Sequence, residues 1–166
     1  MNDSGRVIRF DHIYICEKTI PAQNDFLGDL HIQGLRPNVD RKIQWTPSAG
    51  TNSWDLVNDL APDDYSTYSS SDAAGQQNLY GIVEPAVTEG SVIAIASNYY
   101  VRKSKAGEVG VRSRLTVGGT ANIGDTHYLQ QSWRYVMDIA QKTSVPSNYV
   151  AINLLSGGSF GIERVF

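Results

Sequence analysis

The run Glu108-Val109-Gly110-Val111-Arg112-Ser113-Arg114-Leu115-Thr116-Val117 alternates two kinds of side chain. Val109, Val111, Ser113, Leu115 and Val117 fall on one side of an extended chain, and Gly110, Arg112, Arg114 and Thr116 on the other. Successive side chains of a strand point to opposite faces, so this period of two predicts a strand with one face buried. The same texture continues on both sides of it. Residues 92–103 read as a longer strand, residues 105–108 as a hairpin turn between the two, and residues 79–84 as another strand. Downstream, residues 129–139 place Leu129, Gln131, Trp133, Tyr135, Met137 and Ile139 on one face. Leu129, Trp133, Val136 and Ala140 would also suit a helix, but the aromatic content and the neighbouring strands favour a strand. Phe160, Ile162 and Val165 finish in a last strand.

The first third is less regular. Residues 6–16 alternate as a strand, and residues 27–35 resume that texture until Pro37-Asn38 ends it. Residues 46–75 are mostly irregular, with turn texts at residues 46–50 and 61–64 and a polar loop at residues 69–72. Within them Ser53 is placed to cap a short helix carrying Trp54, Val57 and Leu60, and Ser147 to cap another over residues 148–155, stopped at Gly157-Gly158. The expectation is a mainly β fold: an antiparallel β-sandwich, jelly-roll-like, with one or two short helices. A length of 166 residues with no linker, repeat or low-complexity tract predicts a single domain, residues 1–166, with residues 1–16 as an N-terminal strand or arm.

Apolar residues make up 41% of the chain, too many for a disordered one. A pI near 5.5 argues against non-specific nucleic-acid binding, which needs a basic footprint. No apolar run approaches a membrane span and no signal core is present, so a soluble chain with no nucleic-acid or membrane partner is expected. The single cysteine, Cys16, lies among strand formers and reads as a buried small hydrophobe.

Charge is distributed in blocks. From Ile43 to Val101, 59 residues hold no lysine or arginine but seven acidic side chains, Asp55, Asp59, Asp63, Asp64, Asp72, Glu84 and Glu89. Arg102, Lys103, Lys105, Arg112 and Arg114 follow within thirteen residues, offset only by Glu108. Such blocks complement each other between copies or meet an oppositely charged partner.

The chemistry-bearing residues do not assemble in the sequence. His12, His31 and His127 are scattered singly, with no spacing that makes metal ligands. Gly157-Gly158-Ser159-Phe160-Gly161 has its glycine at the wrong offset for a nucleophile elbow. Asp63-Asp64 after Pro62 reads as turn chemistry rather than a calcium loop, which needs alternating oxygen ligands. Asp55 and Asp59 share one helical face, whereas sugar cleavage needs carboxyls facing each other across the substrate. No catalytic residue, metal or cofactor is therefore expected. Trp45, Trp54, Tyr65 and Tyr68 are the candidate pins of the long loop, with Tyr65 and Tyr68 the exposed pair. Together with Arg102, Lys103, Arg112 and Arg114 they form the candidate interaction surface.

In order along the chain, Asp11-His12-Ile13-Tyr14-Ile15-Cys16, residues 24–32, Leu35-Arg36-Pro37-Asn38, residues 44–51, Ala61-Pro62-Asp63-Asp64 and Ser66-Thr67-Tyr68 stand out. Gly75-Gln76, Leu79-Tyr80, Val101-Arg102-Lys103, Ala106-Gly107 and Gly118-Gly119-Thr120 continue the series. On these motifs the chain resembles a family of tailed-bacteriophage virion proteins, often found as the C-terminal part of concanavalin-like or fibre-associated proteins. In longer members residues 11–29 close a preceding lectin-like jelly roll, which a chain starting at Met1 is expected to lack. The resemblance implies a non-enzymatic structural protein of the virion, a capsid decoration (cement) or a tail- or fibre-attached protein. Its partners would be the major capsid or tail and fibre proteins, in a homo-oligomer, a trimer before a dimer or higher ring. The alternative is a carbohydrate-binding receptor-recognition module.

Overall fold

The computed structural model describes residues 32–82, 91–92, 94–117, 119–141, 150–151 and 157–166. The strand expected at residues 6–16, most of that at residues 27–35, and Cys16, His12 and His31 lie outside them. The chain divides into two units, Met1–Ile32 and Gln33–Phe166, and the second is the one described here. It is mainly β and antiparallel throughout.

Its strands are β1 (Pro37–Ile43), β2 (Thr46–Pro47), β3 (Ser69–Ser70), β4 (Gln77–Ile82), β5 (Ser91–Val92), β6 (Ala94–Val101), β7 (Gly110–Val117), β8 (Thr120–Ile123), β9 (His127–Tyr128), β10 (Arg134–Gln141), β11 (Val150–Ala151) and β12 (Ser159–Arg164). The main sheet has the order β1-β4-β12-β7-β8, with β9 also pairing β7. β6 and β10 form a separate ribbon in continuous register from Arg134↔Val101 to Gln141↔Ala94.

The alternation of residues 109–117 is realised in β7: Val111, Ser113, Leu115 and Val117 are buried, while Arg112, Arg114 and Thr116 are half-buried on the opposite face. Across the pairings, Phe160 and Ile162 of β12 and Asn78, Tyr80 and Ile82 of β4 share the buried face. The inner face of the ribbon closes over it. Ile95 and Ala140 pack on Ile82, Leu115 and Val117, and Tyr99 and Val101 on Val111, Leu129 and Ile162. The result is a two-layer sandwich in which each fully buried aliphatic side chain contributes about 1.5–3 kcal/mol.

Polar clips fasten the layers. The Tyr99 hydroxyl donates to the Gly161 carbonyl at 2.7 Å, and burial raises its pKa well above the ordinary 10. Inward-facing Asp138 accepts from the Ser113 amide at 3.1 Å and lies 2.7 Å from His127 Nε2. Burial alone would raise the Asp138 carboxyl, but the hydrogen bonds from His127 and Ser113 outweigh it and the pKa is lowered. Ser113 and His127 both address this carboxylate, so the imidazole is oriented by Asp138 and serves as a strut between sheets. Gly124 is required beside it: a Cβ there would collide with Ser113 Oγ and the Asp138 carboxylate.

Four local expectations are corrected. β1 begins at Pro37 instead of a strand ending there; residues 32–36 are not strand, and a proline is tolerated at the first position of an edge strand. The helix at Trp54 is a single 3-10 turn, Trp54–Leu56, and Ser53 makes no side-chain cap bond. Asp40, reaching from β1, accepts from the Ser53 and Trp54 amides at 2.8 and 2.7 Å and takes the capping role. Within residues 148–155, Val150–Ala151 is extended and pairs β5. Residues 105–108 do not close a hairpin, because β6 pairs β10 while β7 pairs β8, β9 and β12.

Candidate interaction surface

The long segment of residues 46–75 is held to the sheet mainly by polar atoms. Ser53 and Asn78 have no exposed surface, and Tyr80 is buried beside them. Asn78 Nδ2 donates to the Tyr80 hydroxyl at 2.9 Å and to Ser53 Oγ at 3.2 Å. Its Oδ1 accepts from the Gln44 and Trp45 amides at 3.0 and 2.9 Å. Ser53 Oγ also meets the Tyr80 hydroxyl at 3.0 Å and Ser69 Oγ at 2.9 Å. Every polar atom of the Asn78 side chain is thus used, as burial demands. Trp45 adds an indole hydrogen bond to the Gln76 carbonyl at 3.0 Å and packs on the core, so it is a pin as expected. Asp63 binds the Thr67 amide and hydroxyl at 3.1 and 2.8 Å, and Asp64 takes a left-handed φ of 58°: this is turn chemistry.

The basic block separates. Arg112 and Arg114 both bind Glu163 on the face of the main sheet away from the ribbon. Arg112 is bidentate, Nε to Oε2 at 3.0 Å and Nη2 to Oε1 at 3.3 Å, and Arg114 Nε meets the same Oε2. Burial on its own would raise the Glu163 carboxyl, but the two guanidinium groups outweigh it and lower the pKa to about 2. These arginines neutralise a buried acid and are not free charge for a partner. Lys103 Nζ closes its own turn by donating to the Gly107 carbonyl.

Arg102 goes elsewhere. Its guanidinium carbon lies 5.0 Å from the Tyr65 ring centre and 5.7 Å from that of Trp133, within cation–π range, and Nη1 donates to the Tyr65 hydroxyl. Trp133 stacks on Tyr100 at 5.2 Å with planes 6° apart and meets Tyr65 edge-on at 5.9 Å. Tyr100 in turn touches Tyr135 at 4.7 Å. The Asp64 carboxylate stands beside the Tyr100 phenol, whose pKa is raised by desolvation and then by that negative charge. The indole N–H of Trp133 is buried with no partner among the described residues.

This aromatic row runs into the outer face of the ribbon. Tyr135, Met137 and Ile139 are 65%, 52% and 53% exposed, and Tyr100, Asn98 and Ala96 stand opposite them. None of these side chains is charged. Protein-family models, curated proteins and solved structures give no match to this chain.

Of the eight residues expected at an interaction surface, the structure joins Tyr65 and Arg102. Tyr68, 39% exposed, pairs its backbone with Ser48; Trp54 sits half-buried on its 3-10 turn; Trp45, partly buried, packs against the core. Tyr100, Trp133, Tyr135, Met137 and Ile139 were not singled out from sequence. The alternation of residues 129–139 puts Trp133, Tyr135, Met137 and Ile139 on one face without saying which way it turns, and the side of β10 that turns inward carries Arg134, Val136, Asp138 and Ala140. Asp138 tolerates that position because His127 and Ser113 receive it; Arg134 gives Nη2 to the Tyr128 carbonyl, while its Nε is buried with no partner among the described residues. The usable signal was the paired tyrosines, Tyr99-Tyr100 and Tyr135, in two neighbouring strands.

Proposed function

We propose that the chain is a non-enzymatic structural protein of a tailed-phage particle, a capsid decoration or a tail- or fibre-attached protein. It adheres to neighbouring virion subunits through the outer face of the β6–β10 ribbon, in many copies and as a homo-oligomer. The observation that supports this most is the exposure of Tyr135, Met137 and Ile139 side by side on an uncharged sheet face. Contiguous apolar surface rimmed by polar residues marks sites of protein contact. The family resemblance of the sequence supplies the setting.

The test is co-sedimentation of the purified protein with particles of the phage or induced prophage that encodes it. Saturable binding is expected, and the double variant Met137→Lys, Ile139→Lys should weaken it at least about tenfold, the equivalent of about 1.4 kcal/mol. Absence of binding to both heads and tails, or binding indifferent to these substitutions, would remove the reading.

A further inference from the structure

We infer that the aromatic end of the ribbon is a binding site for a neutral glycan. Exposed Tyr65 and Tyr135 supply ring surface at the two ends of the row, Tyr100 and Trp133 stack on each other between them, and Arg102 and Asp64 supply the polar margin. A sugar ring presents an apolar C–H face and a rim of hydroxyl groups, each of which both donates and accepts hydrogen bonds. Its complement is an aromatic platform with a donor and an acceptor at its edge.

The geometry meets those requirements one by one. Tyr65 and Tyr135, at the two ends of the contiguous rings, are each 65% exposed. Arg102 is held against two ring faces with no carboxylate partner among the described residues, which leaves it N–H groups beyond the one given to Tyr65. Exposed Asp64 places an acceptor beside Tyr100. One cation and one carboxylate at the same margin give no net charge, which favours an uncharged ligand over an acidic one. The Trp133 indole N–H is buried with no partner among the described residues.

The site shares Tyr135 with the adhesive face, but the two readings are tested at different residues. It draws on the loop carrying Tyr65 and on the strand ends, whereas adhesion is tested at Met137 and Ile139. The experiment is native electrophoresis of the whole chain through gels each holding one polysaccharide. Dextran, a galactomannan, a yeast mannan, a soluble β-glucan and the surface polysaccharide of the host strain form the neutral set where uncharged; alginate and hyaluronate form the acidic one. Retardation by at least one neutral polysaccharide is expected, with quenching or a shift of tryptophan emission on titration. Tyr65→Ala and Arg102→Ala should each weaken binding about tenfold, the scale of one lost stacking contact, with unchanged circular dichroism. Met137→Lys should leave it intact. Should Arg102→Ala not fold, Tyr65→Ala decides alone, because an exposed loop ring is dispensable for folding. No retardation in any neutral gel, retardation in acidic gels only, or retardation lost with Met137→Lys but not with Tyr65→Ala would overturn the site.

Discussion

Glu163 is 6% exposed and carries two guanidinium groups, so its charge is sustained by Arg112 and Arg114 and by little else. Its folded pKa of about 2 lies below the ordinary 4.5. The sign follows: the contribution is fully present above about 4.5 and is lost as pH falls toward 2. Glu163→Gln should therefore destabilise by about 2 kcal/mol at neutral pH, the value of hydrogen bonds to charged groups. The gap between the thermal unfolding midpoints of wild type and variant should close between pH 4.5 and 2. The difference is the right quantity, because Asp138, also lowered, loses its own contribution in acid and acts equally in both proteins. Midpoints that stay equally far apart down to pH 2 would mean that the arginines stabilise the fold without needing this charge.

At the scale of elements, the long loop tests what a polar network is worth. Asn78 unites the amides after β1, the Ser53 hydroxyl and the Tyr80 phenol; Trp54 contributes an amide to Asp40 and a half-buried ring. Asn78→Ala leaves buried donors and acceptors unpaired and should cost about 3 kcal/mol, more than Trp54→Ala. Residues 43–101 contain no trypsin site, so the readout is chymotrypsin or thermolysin cleavage of the folded protein. Cleavage within residues 46–75 should accelerate more in Asn78→Ala than in Trp54→Ala; the reverse order would restore the aromatics as the principal pins. The contrast also shows what the chain discloses about itself. β7 and β12 were legible because period-two alternation is local, and so was the turn at Asp63. The Asp40 cap and the Ser53–Asn78–Tyr80 cluster were not, since Ser53 lies 13 residues from Asp40, 25 from Asn78 and 27 from Tyr80 and meets them only once the sheet forms. β10 was legible as a strand but not in its facing, because inward Asp138 is satisfied from β7 and β9. The candidate site was half legible for the same reason: Tyr65 and Arg102 announced themselves as exposed types, while the alternation placed Trp133 and Tyr135 on one strand face without giving its direction.

For the whole molecule the question is whether association runs on charge or on apolar surface. The segregated blocks in the sequence argue for charge, and such contacts weaken as salt shortens the Debye length below about 10 Å. The fold spends much of the basic block internally, with Arg112 and Arg114 on Glu163, Lys103 on the Gly107 carbonyl and Arg102 on aromatic faces. What remains outward on the ribbon is uncharged. An eight-residue ribbon face is about 26 Å long and covers only a few hundred Å². That falls short of the roughly 800 Å² per partner of a stable pair, so a single contact is weak and only an array of copies holds. Self-association or particle binding through this face should therefore change less than about threefold between ~0.05 and ~0.5 M sodium chloride, strengthen in ammonium sulfate, and vanish with Met137→Lys. Sedimentation velocity at tens of micromolar, alongside co-sedimentation with particles, measures both. A tenfold loss of affinity over the sodium chloride range would return the interface to the charged blocks, with Lys105 and the acidic loop as its first residues to substitute. Salt-insensitive binding that Met137→Lys removes leaves the ribbon's outer face as the surface through which copies act together.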